Sequence, residues 1–155
     1  DVLITEATFA LPIYQWGSGA SLARQIRDWW QADQSRASLL FCYSFGKAQR
    51  VLAELAAIGV EEEVLMHGAV GWMRRFKAPQ TAFASGWMAV RGARRRRGYE
   101  RGFVLSDHAD WNGLIRTVKE SGARQVYVTH GHSDVLARYL SEVEGITAAP
   151  LESLP

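Results

Sequence analysis

Short apolar runs alternate with longer stretches of helical period along this chain, and that alternation leaves few architectures open. Val2 to Thr5 reads as a strand ending at Glu6, followed by a loop with Pro12, Gly17 and Gly19. Ser21 to Ala32 carries Leu22, Ile26, Trp29 and Trp30 at helical spacing. Ser38 to Tyr43 reads as a buried strand; Gly46 then turns the chain into a helix over Lys47 to Ile58, which Gly59 ends. Glu63 to Met66 reads as a further short strand ahead of His67 and Gly68. Gly71 to Ala82 contains Pro79 and has no clear period, and Phe83 to Val90 reads as a strand through Ser85 and Gly86. Gly102 to Leu105 is expected as a strand, Trp111 to Ser121 as a helix, and Gln125 to Thr129 as a strand. A helix over Ser133 to Val143 follows, with Ser133 as its N-cap, and Gly145 to Pro155 is loop or short strand. Repeated strand–helix pairs of this kind predict an α/β fold with parallel crossovers. One Rossmann-type half starts at Ser38, and a second βαβα block starts at Gly102.

Composition closes off other classes. With 48% hydrophobic and 22% charged residues the chain has the make-up of a globular domain, not a disordered one. No run of about 18 apolar residues is present, which rules out a transmembrane helix and makes a membrane partner unexpected. The chain begins with Asp1 rather than Met, so the natural start is expected upstream. The single Cys42 excludes an internal disulfide framework and a Cys-based zinc finger, and fits a reducing, cytoplasmic compartment.

The net charge of +2 is unevenly spread. Arg91, Arg94, Arg95, Arg96, Arg97 and Arg101 crowd together, with Arg74, Arg75 and Lys77 ahead of them and Trp72 and Trp87 nearby. Clustered guanidinium groups favour a polyanion because each releases condensed counterions at a phosphate, and indole rings can stack on bases. A solvated Arg-rich hairpin that binds nothing explains the run equally well.

Polar residues gather where strands end. Glu6 follows the first strand; Ser106, Asp107, His108 and Asp110 follow the strand ending at Leu105; Thr129, His130, Gly131 and His132 follow the strand ending at Thr129. Sites in open α/β sheets lie beyond the carboxyl ends of the strands. If the strands before His108 and His130 are parallel neighbours joined by one helix, the two imidazoles meet at that edge. Two histidines and an acid suit a metal ligand plus a proton donor held by a carboxylate. Each also has an ordinary reading: His67 precedes a glycine in a turn, His108 lies among aspartates such as Asp110 that can cap a helix, and His132 sits on a surface loop.

Two motifs lack a defining residue. Gly46-Lys47-Ala48 opens a helix after a strand, but Phe41 stands where a P-loop needs glycine and Ala48 where it needs Ser or Thr. Gly46 and the helix start remain able to receive one backbone phosphate. His130-Gly131-His132-Ser133-Asp134-Val135 begins like the H-x-H-x-D-H zinc signature, but Val135 replaces its last histidine and the stretch comes late in the chain.

The stretch SGWMAVRGARRRRGYERGFVLSDHADWNGLI, followed by VYVTHGH, resembles the β-CASP branch of the metallo-β-lactamase superfamily, a group of DNA and RNA nucleases. It is most similar to the bacterial DNA-ligase-associated exonucleases, relatives of mRNA 3'-end processing factors. LITEATFALPIYQW and LLFCYSFGKAQRVLAEL extend the likeness over most of the chain. The resemblance implies an α/β chain made of part of a metallo-β-lactamase αββα sandwich plus a Rossmann-like β-CASP subdomain. Residues 1–20 would be the lactamase part with the acid motif, 21–100 a shortened β-CASP-like subdomain, and 101–155 the C-terminal lactamase part.

Carried across residue by residue, the resemblance makes Glu6 in TEATF the acid that orients His108 in SDHAD. His108 would protonate the leaving oxygen, and His130 in VTHG would ligate zinc. Gly46, Lys47, Ser85, Gly86, Arg94, Arg95, Arg96 and Arg97 would hold the nucleic acid strand. The family's H-x-H-x-D-H motif, a further histidine and a bridging aspartate are absent, and the segment between HGAV and GWMRRF is shortened. The expectation is therefore a fragment of a two-zinc exonuclease that trims DNA ends in repair beside an ATP-dependent DNA ligase, binding zinc weakly or not at all on its own and inactive alone. The alternatives are an inactive nucleic-acid-binding remnant and an RNA-processing nuclease of the same branch. Phosphate contacts do not separate DNA from RNA unless the 2′-OH is engaged.

Overall fold

The computed structural model describes residues 1–68, 70–90 and 98–151. It is an α/β fold, and the described residues form two parallel three-stranded sheets. The chain divides into two compact units, residues 1–16 with 107–155, and residues 17–106.

The first unit contains β1 (Val2–Glu6), β5 (Gln125–Thr129) and β6 (Thr147–Pro150), in the order β1-β5-β6. Helices α3 (Trp111–Ser121) and α4 (Ser133–Glu142) complete it. Alternation decides which side chains meet. Leu3 pairs with Val126 and Thr5 with Val128, and Val126 and Val128 are fully buried against Leu114 and Val118 of α3 and Leu136 and Leu140 of α4. Val2 and Ile4 point to the other face and are 59% and 60% exposed. The helix stripe read from the sequence in α3 is thus the core stripe, and Gly122 stops that helix at a φ of 64°.

The second unit contains β2 (Ser38–Cys42), β3 (Gln80–Ala84) and β4 (Arg101–Phe103), in that order, with α1 (Gly19–Gln31) and α2 (Phe45–Ala57). Leu22, Ala23 and Ile26 of α1 and Val51 and Leu55 of α2 pack with Ala82, Ala84 and Phe103. On the other face Phe41 and Phe83, paired in register, meet the ring of Tyr99 at 5.0 and 5.1 Å. Gln80 is buried yet fully served: its Nε2 donates to Ser38 Oγ at 2.6 Å, and to Asp33 O and Trp30 O.

Several expectations are corrected. The strand after the Arg-rich segment, Arg101–Phe103, pairs with β3, not with Gln125–Thr129, which lies between β1 and β6. It therefore belongs to the compact unit of residues 17–106. Phe83 to Val90 is not one strand. The strand is Gln80–Ala84, after which Ser85 accepts from Trp87 N and caps a 3-10 turn over Gly86–Ala89. Glu63 to Met66 forms no strand; Val64, Leu65 and Met66 are 47%, 70% and 50% exposed. An apolar run becomes a strand only when a neighbour pairs it, and β2 pairs with β3 among the described residues. Ser133 is not the N-cap of α4, because His132 occupies that position and makes no side-chain cap bond. Arg91 and Arg94, Arg95, Arg96 and Arg97 lie outside the described residues, as does the side chain of Trp72.

Candidate functional site

In the first unit, Glu6 is the last residue of β1 and sits opposite Thr129, the last residue of β5. Parallel pairing puts both strand ends at one edge. His108 Nδ1 lies 3.2 Å from Glu6 Oε1 although 102 residues separate them. Glu6 Oε2 accepts from the Thr8 amide at 2.7 Å. Burial by itself would raise the Glu6 carboxyl; hydrogen bonds from Thr8 and His108, with the His108 charge, outweigh it and leave the group below its ordinary value. An ionised carboxylate only accepts, so Nδ1 of His108 carries a proton in this contact.

The loop after β1 holds His108 through its backbone. Trp16 Nε1 donates to His108 O at 2.9 Å, and the Trp16 amide donates to Asp110 Oδ2 at 2.8 Å. Asp110 Oδ1 accepts from Gly113 N at 2.7 Å, so one carboxylate caps α3 and ties it to the loop. Phe9 is buried and meets Tyr14 at 4.9 Å, Trp16 at 5.1 Å and the His108 ring at 5.8 Å, all edge-on. Phe9, Tyr14, Trp16 and Thr8 were not singled out from the sequence. The three aromatics share no period, and only their density after the acid motif could have marked them.

His130 follows β5 in a left-handed conformation, φ 57°, and its Nδ1 shares a 3.0 Å hydrogen bond with Thr129 Oγ1. Gly131 also has positive φ, and a Cβ there would fall on the backbone of Ala7 and Thr8. His132 N donates to Ala7 O at 2.9 Å. The His130-Gly131-His132 turn is therefore pressed against the exit of β1.

The zinc implied by the resemblance has no ready seat in these residues. Among the described residues no group of three or more His, Cys, Asp or Glu could hold a metal ion. Both Glu6 oxygens already accept hydrogen bonds, and His130 Nδ1 is engaged by Thr129. These residues do not form a zinc site by themselves.

The residues expected to hold a strand and described in the structure lie in the second unit. Gly46 and Lys47 are in the first turn of α2, after β2, and Ser85 and Gly86 follow β3. Lys47 and Ser85 are 8% and 6% exposed, so neither offers much side chain to solvent. Gly46 has open space where a Cβ would stand. No helix among the described residues is long and apolar enough to cross a membrane.

No family model matches the chain, and no solved structure matches it. Among curated proteins it is similar to a "Probable DNA ligase" of Opitutus terrae, at 26% identity over 184 residues. The match takes in 92% of this chain and 18% of the relative, so the chain spans under a fifth of that protein's length. The matched stretch is longer than this chain of 155 residues, so the relative carries additional residues within it.

Proposed function

We propose that the chain carries the acid–histidine part of a phosphodiester hydrolase acting on DNA, in the manner of the β-CASP exonucleases. The observation that carries this reading is the Glu6–His108 hydrogen bond, made across 102 residues at a strand edge. In the proposed step water adds to phosphorus and releases a proton to solvent, the P–O bond to the leaving sugar breaks, and His108 Nε2 gives its proton to the departing alkoxide. Glu6 holds the ring by Nδ1 and faces it with a negative charge, as the acid of a carboxylate–histidine pair does. His130 is the proposed metal ligand, to which other ligands would have to be added. The metal would supply Lewis-acid activation of the phosphate and the water.

The relative named a probable DNA ligase supports DNA rather than RNA as the polymer and a place beside a ligase. The basic segment supports contact with phosphates. The same basic segment serves a second reading, a catalytically inactive nucleic-acid-binding segment.

The test is hydrolysis of end-labelled single-stranded DNA by zinc-supplied protein, parent against His108→Ala. Loss of about 100-fold or more in kcat, with DNA affinity unchanged, is expected for a general acid. Undiminished turnover in the variant sinks the assignment. A parent that binds DNA but never cleaves it selects the second reading.

A further inference from the structure

The carboxyl edge of the second unit's sheet carries three exposed aromatic side chains that the proposed chemistry leaves unused. Cys42 and Ala84, the last residues of β2 and β3, are register partners in neighbouring parallel strands. Adjacent strands lie about 4.8 Å apart. Tyr43 directly follows Cys42, Phe45 opens α2, and Trp87 sits in the 3-10 turn after β3. All three therefore leave from one edge of one sheet. Their exposures are 82% for Tyr43, 65% for Phe45 and 40% for Trp87. Isolated exposed apolar residues need no explanation, but large rings grouped at one edge mark an interaction surface.

A helix amino terminus and one exposed guanidinium lie near this edge. The amino end of α2 lies between Tyr43 and the helix body, with the positive pole of its dipole. Arg50, one turn further, keeps 42% of its side chain exposed and donates from Nη1 to Ser106 O at 2.8 Å. Glu54, 4.0 Å from Arg50 Nε, offsets part of that charge. Aromatic faces beside these positive groups suit bases strung on an anionic backbone better than an apolar protein helix.

We propose that Tyr43, Phe45 and Trp87 form a stacking platform for the unpaired bases of single-stranded DNA. The proposal rests on the reading of this chain as acting on DNA, and it adds that bases as well as phosphates contribute to binding. Every base has a π face, so the platform is tolerant of sequence.

The experiment compares the full chain with its variants on two fluorescent probes at low salt, read by anisotropy. One probe is an oligo-dT strand and the other an abasic strand of equal length. Tyr43→Ala, Phe45→Ala and Trp87→Ala should each weaken oligo-dT binding about ten-fold and leave abasic binding unchanged. Tyr43→Phe should bind as the parent does. Tyr43, the most exposed of the three, keeps the test open should Trp87→Ala fail to fold. If every folded alanine variant binds oligo-dT like the parent, the platform is refuted while the DNA reading stands on the parent's own binding. If the parent binds neither probe, both fall. If the variants lose only a concentration-dependent self-association in sedimentation velocity, the edge joins copies of this chain and the proposal is overturned.

Discussion

A carboxylate that loses part of its water stays ionised only where donors replace that water, and Glu6 has Thr8 and His108 for this. Its folded-state value lies below the ordinary 4.5, so the unfolded chain binds more protons as pH falls through that window. The stability it contributes is complete above its unfolded value and is lost as pH drops through the lowered one. Glu144, lowered chiefly by the hydrogen bond from Lys119 at 2.7 Å, acts in the same sense. Glu6→Gln should therefore flatten, not abolish, the fall in urea midpoint on acidification, and an unchanged acid limb would contradict the assignment. His130 and Gly131 show a different use of single residues. Positive φ at both, with the Ala7 carbonyl where a Cβ on Gly131 would go, lets the chain after β5 lie against the chain after β1.

Capping separates two helices that read alike in the sequence. Asp110 accepts from two backbone amides, Gly113 within α3 and Trp16 in the loop. Asp110→Ala removes a cap and strands a partly buried amide, and should cost about 2–4 kcal/mol in urea unfolding. Ser133 makes no cap bond, because the N-cap position falls on His132, so Ser133→Ala should stay within about 0.5 kcal/mol of the parent. If the two variants proved equally destabilised, the cap assignment would be reversed. These cases also show what was legible. Helix α3 could be bounded from Asp110 to Gly122 because cap, period and stop are all local. The strand Gln80–Ala84 could not, because QTAFA has no alternation of its own and gains its burial from β2 and β4 on either side. Ser85-Gly86 looked like strand interior but closes a turn through its hydroxyl. At the site, Glu6 and His108 are marked by their places after apolar runs and by resemblance. Nothing in their spacing announces contact, and the Phe9–Tyr14–Trp16 cluster that supports them carries no periodic signal at all.

The described residues form two cores with no residue in common, one around Val126, Leu136 and Leu140 and one around Ile26, Leu55 and Phe103. Leu136 is fully buried, and Leu136→Ala should cost about 2–5 kcal/mol. Amide exchange should then speed up in β1, β5 and β6 and change little in β2, β3 and β4. Equal loss of protection in both sheets would mean that the cores open as one cooperative unit.

The pairing of Val2 with Gln125 also sets an order of events in the cell. A ribosome adding about 5–20 residues per second releases β1 several seconds before its partner β5 exists. Residues 17–106 are contiguous and can close their own sheet in that interval. Throughout it, β1 lacks its β5 partner, and its Val2 and Ile4 side chains remain largely uncovered even after that pairing. Slowing translation would lengthen the interval between the emergence of the two strands that pair here.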